Sequence, residues 1–219
     1  MAMMRTRAQL PQVPCVCFGA LTLALLLCPG TSHAAGRAEA HDGFMLRLAA
    51  GFGYGSGTEE VPVLGDVELS GGAGFFSLDI GGALVDNLVL HGRLSSLLLA
   101  SPTVYVQDQE FDTPDDASLS FALLGVGLTY YLMPANVYFT GVVGVARASA
   151  DDGTGDPSTT KAGFGLQGDI GKEWWVSDNW GLGVAGRLMY AAVPDEQVGD
   201  DSTTLHGLGF GVLFSATYQ

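Results

Sequence analysis

The chain has 219 residues, 47% of them hydrophobic and 15% charged, with a formal net charge of −14. That sign disfavours a polyanion such as nucleic acid as a partner, because phosphate binding needs clustered lysine and arginine. All three cysteines (Cys15, Cys17 and Cys28) lie near the start, so the rest of the chain holds neither a disulfide framework nor a thiolate metal site.

The first element predicted is a secretory signal peptide over residues 1–35. Arg5 and Arg7 form a basic start, residues 16–27 an apolar stretch, and Ser32-His33-Ala34 a small-x-small site with cleavage at Ala34 or Ala35. The apolar stretch is too short for a spanning helix, and no later run reaches the ~18 apolar residues that one needs. A lipoprotein cut at Cys28 is disfavoured by the bulky Leu27 before it and Pro29 after it. Residues 36–42 are then a short periplasmic tail, and residues 43–219 form one domain.

Proline cannot donate to a β-ladder, so it marks strand boundaries. Pro62, Pro102, Pro114, Pro134, Pro157 and Pro194 separate apolar, Gly-rich segments at 43–54, 72–84, 88–99, 118–132, 137–148, 163–176, 180–192 and 204–218. These eight segments read as strands. Short turns fall at Val85-Asp86-Asn87, Met133-Pro134-Ala135-Asn136 and Ser177-Asp178-Asn179, residue types that tolerate or fix turn angles. The long gaps (55–71, 100–117, 149–162 and 194–203) hold 16 of the 23 acidic residues and one base, Lys161. The expected architecture is all-β, an eight-stranded antiparallel up-and-down transmembrane barrel with acidic loops along one rim.

Period-2 alternation sorts the faces. Phe76, Leu78, Ile80, Gly82 and Leu84 alternate with Ser77, Asp79, Gly81 and Ala83, and Leu208, Phe210, Val212, Phe214, Ala216 and Tyr218 alternate with Gly209, Gly211, Leu213, Ser215 and Thr217. A soluble, lipocalin-like barrel would put the bulky face inside and solvate the other. The second face is mostly small with few charges, which suits a narrow lumen better than a solvent surface. Folding the chain symmetrically about Asp86 pairs Asp79 with Arg93, and folding about Asp178 pairs Asp169 with Arg187. The predicted interior ion pairs are drawn from Arg47, Asp79, Arg93, Asp169, Glu173 and Arg187. Aromatic girdles are predicted from Trp174, Trp175, Trp180, Tyr130, Tyr138, Tyr190 and Tyr218, concentrated near strand ends.

Residues 43–219 resemble the small outer-membrane β-barrel superfamily, the group including the OmpA transmembrane domain, OmpX and OmpW. The resemblance is carried by the signal, by Gly125-Val126-Gly127-Leu128-Thr129-Tyr130-Tyr131 running into a short turn, and by the aromatic-rich final strand. It implies an outer-membrane location, contact with lipids and lipopolysaccharide, and insertion by the barrel-assembly machinery. That machinery favours a terminal aromatic, whereas here Tyr218 is followed by Gln219. No peptidoglycan-binding segment follows the barrel, which argues against wall anchoring.

Fold membership alone assigns no activity. The interior charges suit either a neutral plug or a gated ion path, and eight strands leave room for the plug. Arg147 and Lys172 are expected on the outer face. His91 and His206 are the histidines available to an enzyme, at opposite ends of the spans and without evident Ser–acid partners. Acidic clusters such as Glu59-Glu60, Asp115-Asp116 and Asp200-Asp201 could collect a divalent cation, but solvated loops are the simpler reading. No cofactor is expected. The expected role is non-enzymatic, structural or directed at an extracellular ligand, with a small-solute pore and a lipid-modifying enzyme as alternatives.

Overall fold

The computed structural model describes residues 41–61, 65–106, 109–111, 117–151, 158–196 and 202–219. The signal segment, residues 36–40, Pro62, Pro114, Pro157, Asp115-Asp116 and Asp200-Asp201 lie outside them. Among the described residues the strands are β1 (Phe44–Val61), β2 (Gly65–Val85), β3 (Leu88–Ala100), β4 (Thr103–Val106), β5 (Gln109–Phe111), β6 (Ser118–Leu132), β7 (Val137–Asp151), β8 (Ser158–Thr159), β9 (Gly163–Trp175), β10 (Trp180–Glu196) and β11 (Ser202–Tyr218). Eight of them pair in the order β1-β11-β10-β9-β7-β6-β3-β2. β2 pairs back to β1, which closes an antiparallel barrel. Closure leaves no edge in the spanning region, so backbone donors and acceptors can be satisfied within hydrocarbon.

The strands run further than apolar alternation alone suggests. β1 and β2 stay in register through Glu59↔Val67, Glu60↔Asp66 and Val61↔Gly65, so most of the expected loop at 55–71 is a hairpin rising above the wall. β10 and β11 likewise pair as far as Glu196↔Ser202. Polar side chains end the membrane-facing pattern, but they do not stop a ladder that continues in water. Pro194, expected in a gap, sits inside β10 opposite Thr204, and its carbonyl accepts from the Lys161 amide at 3.1 Å. β4 and β5 add a small hairpin against the upper part of β2.

Two of the short turns carry a left-handed residue, Asn87 (φ 66°) and Asn136 (φ 51°), a conformation that asparagine tolerates better than most side chains. The first turn is tighter than the symmetric three-residue form expected. Val85 pairs with Leu88, and a bulge between Ala83 and Val85 restores the ladder. The bulge takes up the residue that the turn gives away, so Asp79 still faces Arg93. Around Asp178 the three-residue symmetry holds, with Gly181 opposite Trp175 and Arg187 opposite Asp169.

The faces are inverted relative to a protein bathed in water. Phe52 is 68% and Leu124 67% exposed on the outer wall, while Arg47, Asp79 and Arg93 are almost wholly buried inside. Hydrocarbon around the wall removes the cost of that apolar belt, roughly 25 cal/mol per Å² in water. No described helix is long and apolar enough to cross a membrane; the strands cross it.

Candidate functional site in the barrel interior

The lumen is filled in layers. Toward the long hairpins, Phe75, Leu97, Leu99, Leu119, Phe121, Leu123, Met189 and Leu213 belong to one buried apolar cluster. This layer is absent from the expectation of a small, polar inner face. It arises where β3 and β6 carry large residues on both faces, so alternation gives no sign of which side is in. Glycines opposite make room for it. A Cβ at Gly207 would lie 2.6 Å from the Phe121 ring, a separation that real side chains do not reach.

Below that layer runs a ladder of alternating charge. Arg187 Nε and Nη2 donate to the two Asp169 carboxylate oxygens at 2.7 and 3.0 Å. Asp169 Oδ2 also lies 2.7 Å from Arg93 Nη1. Arg93 in turn forks onto Asp79 with two bonds of 2.7 Å. Asp79 Oδ2 is 3.9 Å from Arg47 Nη1, and Arg47 Nη2 is 2.9 Å from Glu173. All six predicted interior residues are thus brought together in one chain of three cations and three anions. Neutral side chains extend it, while Arg47 Nη1 and Arg187 Nη1 are buried with no hydrogen-bond partner among the described residues. Gln167 accepts from Arg93 at 3.3 Å and donates to Ser95 at 2.7 Å, and Arg187 donates to Ser77 at 3.0 Å. Thr217 accepts from Arg47 at 3.2 Å and donates to Glu173 at 2.7 Å. Charges taken out of water are tolerated only with this degree of compensation.

The end near the short turns is aromatic. The Arg47 guanidinium lies 4.3 Å from the centre of the Tyr138 ring, and its Nη2 also donates to the Tyr131 hydroxyl. Tyr138 is therefore an interior residue and not part of the girdle. The reason is parity: it shares the inner side with Thr140, while Phe139 next to it faces out. A Cβ at Gly171 would meet the Tyr138 ring at 2.5 Å, so the ring occupies the space that glycine leaves. Trp175 leaves the girdle too, since it shares the inner parity of Glu173 and stacks on His41 with ring centres 5.2 Å apart. Tyr130, Trp180 and Tyr190 are exposed on the outside. Trp180 meets Tyr218 edge-on at 5.4 Å, and Lys172 Nζ lies 5.7 Å from the Trp174 ring centre while donating to the Ala135 carbonyl at 2.8 Å.

His41 has no counterpart among the predicted site residues. It precedes the first strand, where no periodic pattern marks it, yet it is 1% exposed. Its ring stacks on Tyr131 at 3.5 Å, Nε2 is 2.8 Å from Asn136 Oδ1, and Nδ1 is hydrogen-bonded to Gln219 Oε1. The two candidate catalytic histidines stay apart. His91 is buried and bonded to Thr129 at 3.0 Å, whereas His206 is on the outer wall, 3.0 Å from the Tyr190 hydroxyl. Among the described residues no cluster of His, Cys, Asp and Glu suited to a metal is present.

No protein-family model matches the chain, and no curated protein does. Solved structures do resemble it. Neisserial surface protein A is 17% identical with a TM-score of 0.42, the alignment covering 80% of this chain and 97% of that one. Ail, the attachment invasion locus protein of Yersinia pestis, is 12% identical with a TM-score of 0.42, covering 80% and 99%. The outer membrane protein OprG from Pseudomonas aeruginosa is 12% identical with a TM-score of 0.47, covering 82% and 98%. These are likenesses of form, and the fold rests on the strand order above: an eight-stranded β-barrel of the outer-membrane type.

Proposed function

We propose that this outer-membrane barrel is a non-enzymatic surface protein, a sealed anchor that presents acidic hairpins to the outside and contributes to envelope integrity. The observation that carries this reading is the filled lumen, in which a neutral charge ladder is capped by a layer of large apolar side chains. An ion crossing that layer would shed its hydration without replacement partners, a cost of many kcal/mol. The long hairpins carry Glu59 and Glu68, so an extracellular ligand with a basic face fits their charge. On the wall below, Arg147 is exposed just above Val145 and Phe164, a placement suited to a lipopolysaccharide phosphate. The barrel-assembly machinery is the partner proposed for insertion.

Planar-bilayer recording tests this reading. The purified protein is expected to give no stable conductance, and large stable steps would overturn the sealed anchor in favour of a small-solute pore. The enzymatic alternative has its own readout, the mass of lipid A after expression. An altered mass that reverts with His206→Ala would replace the anchor with a lipid-modifying enzyme.

A further inference from the structure

The three short turns are tied together by residues from the two ends of the barrel sequence. The Asn87 amide donates to the His41 carbonyl at 3.0 Å, and Asn87 Oδ1 accepts from the His41 amide at 3.4 Å. The His41 ring reaches Asn136 in the second turn. Gln219 bonds the other ring nitrogen, and its own amide donates to the Asn179 carbonyl of the third turn at 3.0 Å. Gln219 Nε2 also donates to the Tyr131 hydroxyl at 3.2 Å, on which the His41 ring lies stacked. Immediately inward are Met45, Val89, Tyr138 and Ala185, all buried.

We propose that His41 and Gln219 form a strap closing the short-turn mouth of the barrel, and that its release opens a blind polar vestibule leading to Arg47 and Glu173. Past the apolar side chains of Met45, Val89 and Ala185, the groups reached are hydrophilic: a guanidinium, a carboxylate and two phenols, which water would solvate readily. Packing of the apolar layer does not involve His41, so opening stops there and makes no through-path. The strap is held by a few hydrogen bonds and by ring stacks on Tyr131 and Trp175, and by no spanning ladder, so it opens well below the energy of global unfolding. The blindness of the vestibule rests on the sealed-lumen reading, and the two are tested at separate depths.

The test uses cysteine reporters in a chain carrying Cys15→Ala, Cys17→Ala and Cys28→Ala. Ala185→Cys places a thiol behind the strap, and Ala191→Cys places one in the apolar layer; both alanines are inward-facing and buried. Labelling by a charged maleimide is followed on the heat-modifiable folded band in detergent. Adding His41→Ala is expected to speed labelling at 185 by about tenfold or more, since two hydrogen bonds and two ring stacks are lost. Labelling at 191 is expected to stay slow. Asn136→Gly removes one tie while keeping the left-handed backbone comfortable, and a smaller acceleration at 185 is expected from it. An unchanged rate at 185 in both variants overturns the strap. Faster labelling at 191 alongside 185 overturns the blind vestibule and, with it, the sealed lumen.

Discussion

At the residue scale, the ionic ladder combines contacts made within a hairpin with contacts made across the lumen, and Arg47–Asp79, register partners of β1 and β2, belongs to the first kind. Asp79–Arg93 and Asp169–Arg187 lie within single hairpins, where distance from the turn fixes the partner. Arg47–Glu173 joins β1 to β9, which are not neighbours, so the contact crosses the lumen and no local count reveals it. Tyr138 was hidden differently, because it stands beside Phe139 and an aromatic pair carries no parity. The ladder makes a sharp prediction. Asp79 sits between Arg93 and Arg47 with no exposed surface, so Asp79→Ala leaves two guanidinium groups undercompensated. A loss of about 3–5 kcal/mol is expected, read as a lower urea midpoint for the barrel folded in lipid vesicles. Arg147→Ala, on the exposed wall, is expected to change that midpoint by no more than about 0.5 kcal/mol.

At the scale of the strand, turn chemistry was the legible part and strand length was not. Asn, Asp and Pro located the three short connections. The symmetric form assumed for the first of them was replaced by a tighter turn plus a bulge, and the register survived because the two changes cancel. The upper limits were misplaced because apolar alternation reports the membrane and not the ladder: β1 and β2 go on pairing where Thr58, Glu59 and Glu68 have replaced Phe52 and Phe76. Since Glu59 and Val67 are register partners, an Asn-Gly turn can join them directly in place of residues 60–66. Leu69, which packs against the apolar layer, lies outside the segment to be replaced. The shortened protein is expected to keep heat-modifiable migration and a urea midpoint within about 1 kcal/mol of the parent. Loss of the folded band would mean that the hairpin belongs to the barrel's stability and not only to its display.

Across the whole molecule, a single asymmetry organises the rest: charge is concentrated in the lumen and above the rim, and the wall between is apolar. The composition hinted at this through 47% hydrophobic residues without a helical span, and alternation assigned the sides. What composition could not show is that the lumen is itself divided into an apolar cap, an ionic middle and an aromatic floor. The proposed anchor role rests on this division, because a wholly polar lumen would invite water whereas an apolar layer opposes its passage. The wall offers the direct check on orientation. Leu188 points outward from β10 next to the level of the Arg187–Asp169 pair and is 56% exposed. Leu188→Arg places a guanidinium in hydrocarbon and is expected to lower folding stability in vesicles by about 2–4 kcal/mol. In an aqueous environment the same change would be close to neutral. Measuring it by urea titration therefore separates a barrel bathed by lipid from one bathed by water, and a shift under about 0.5 kcal/mol would reverse the assignment of inside and outside on which the anchor reading depends.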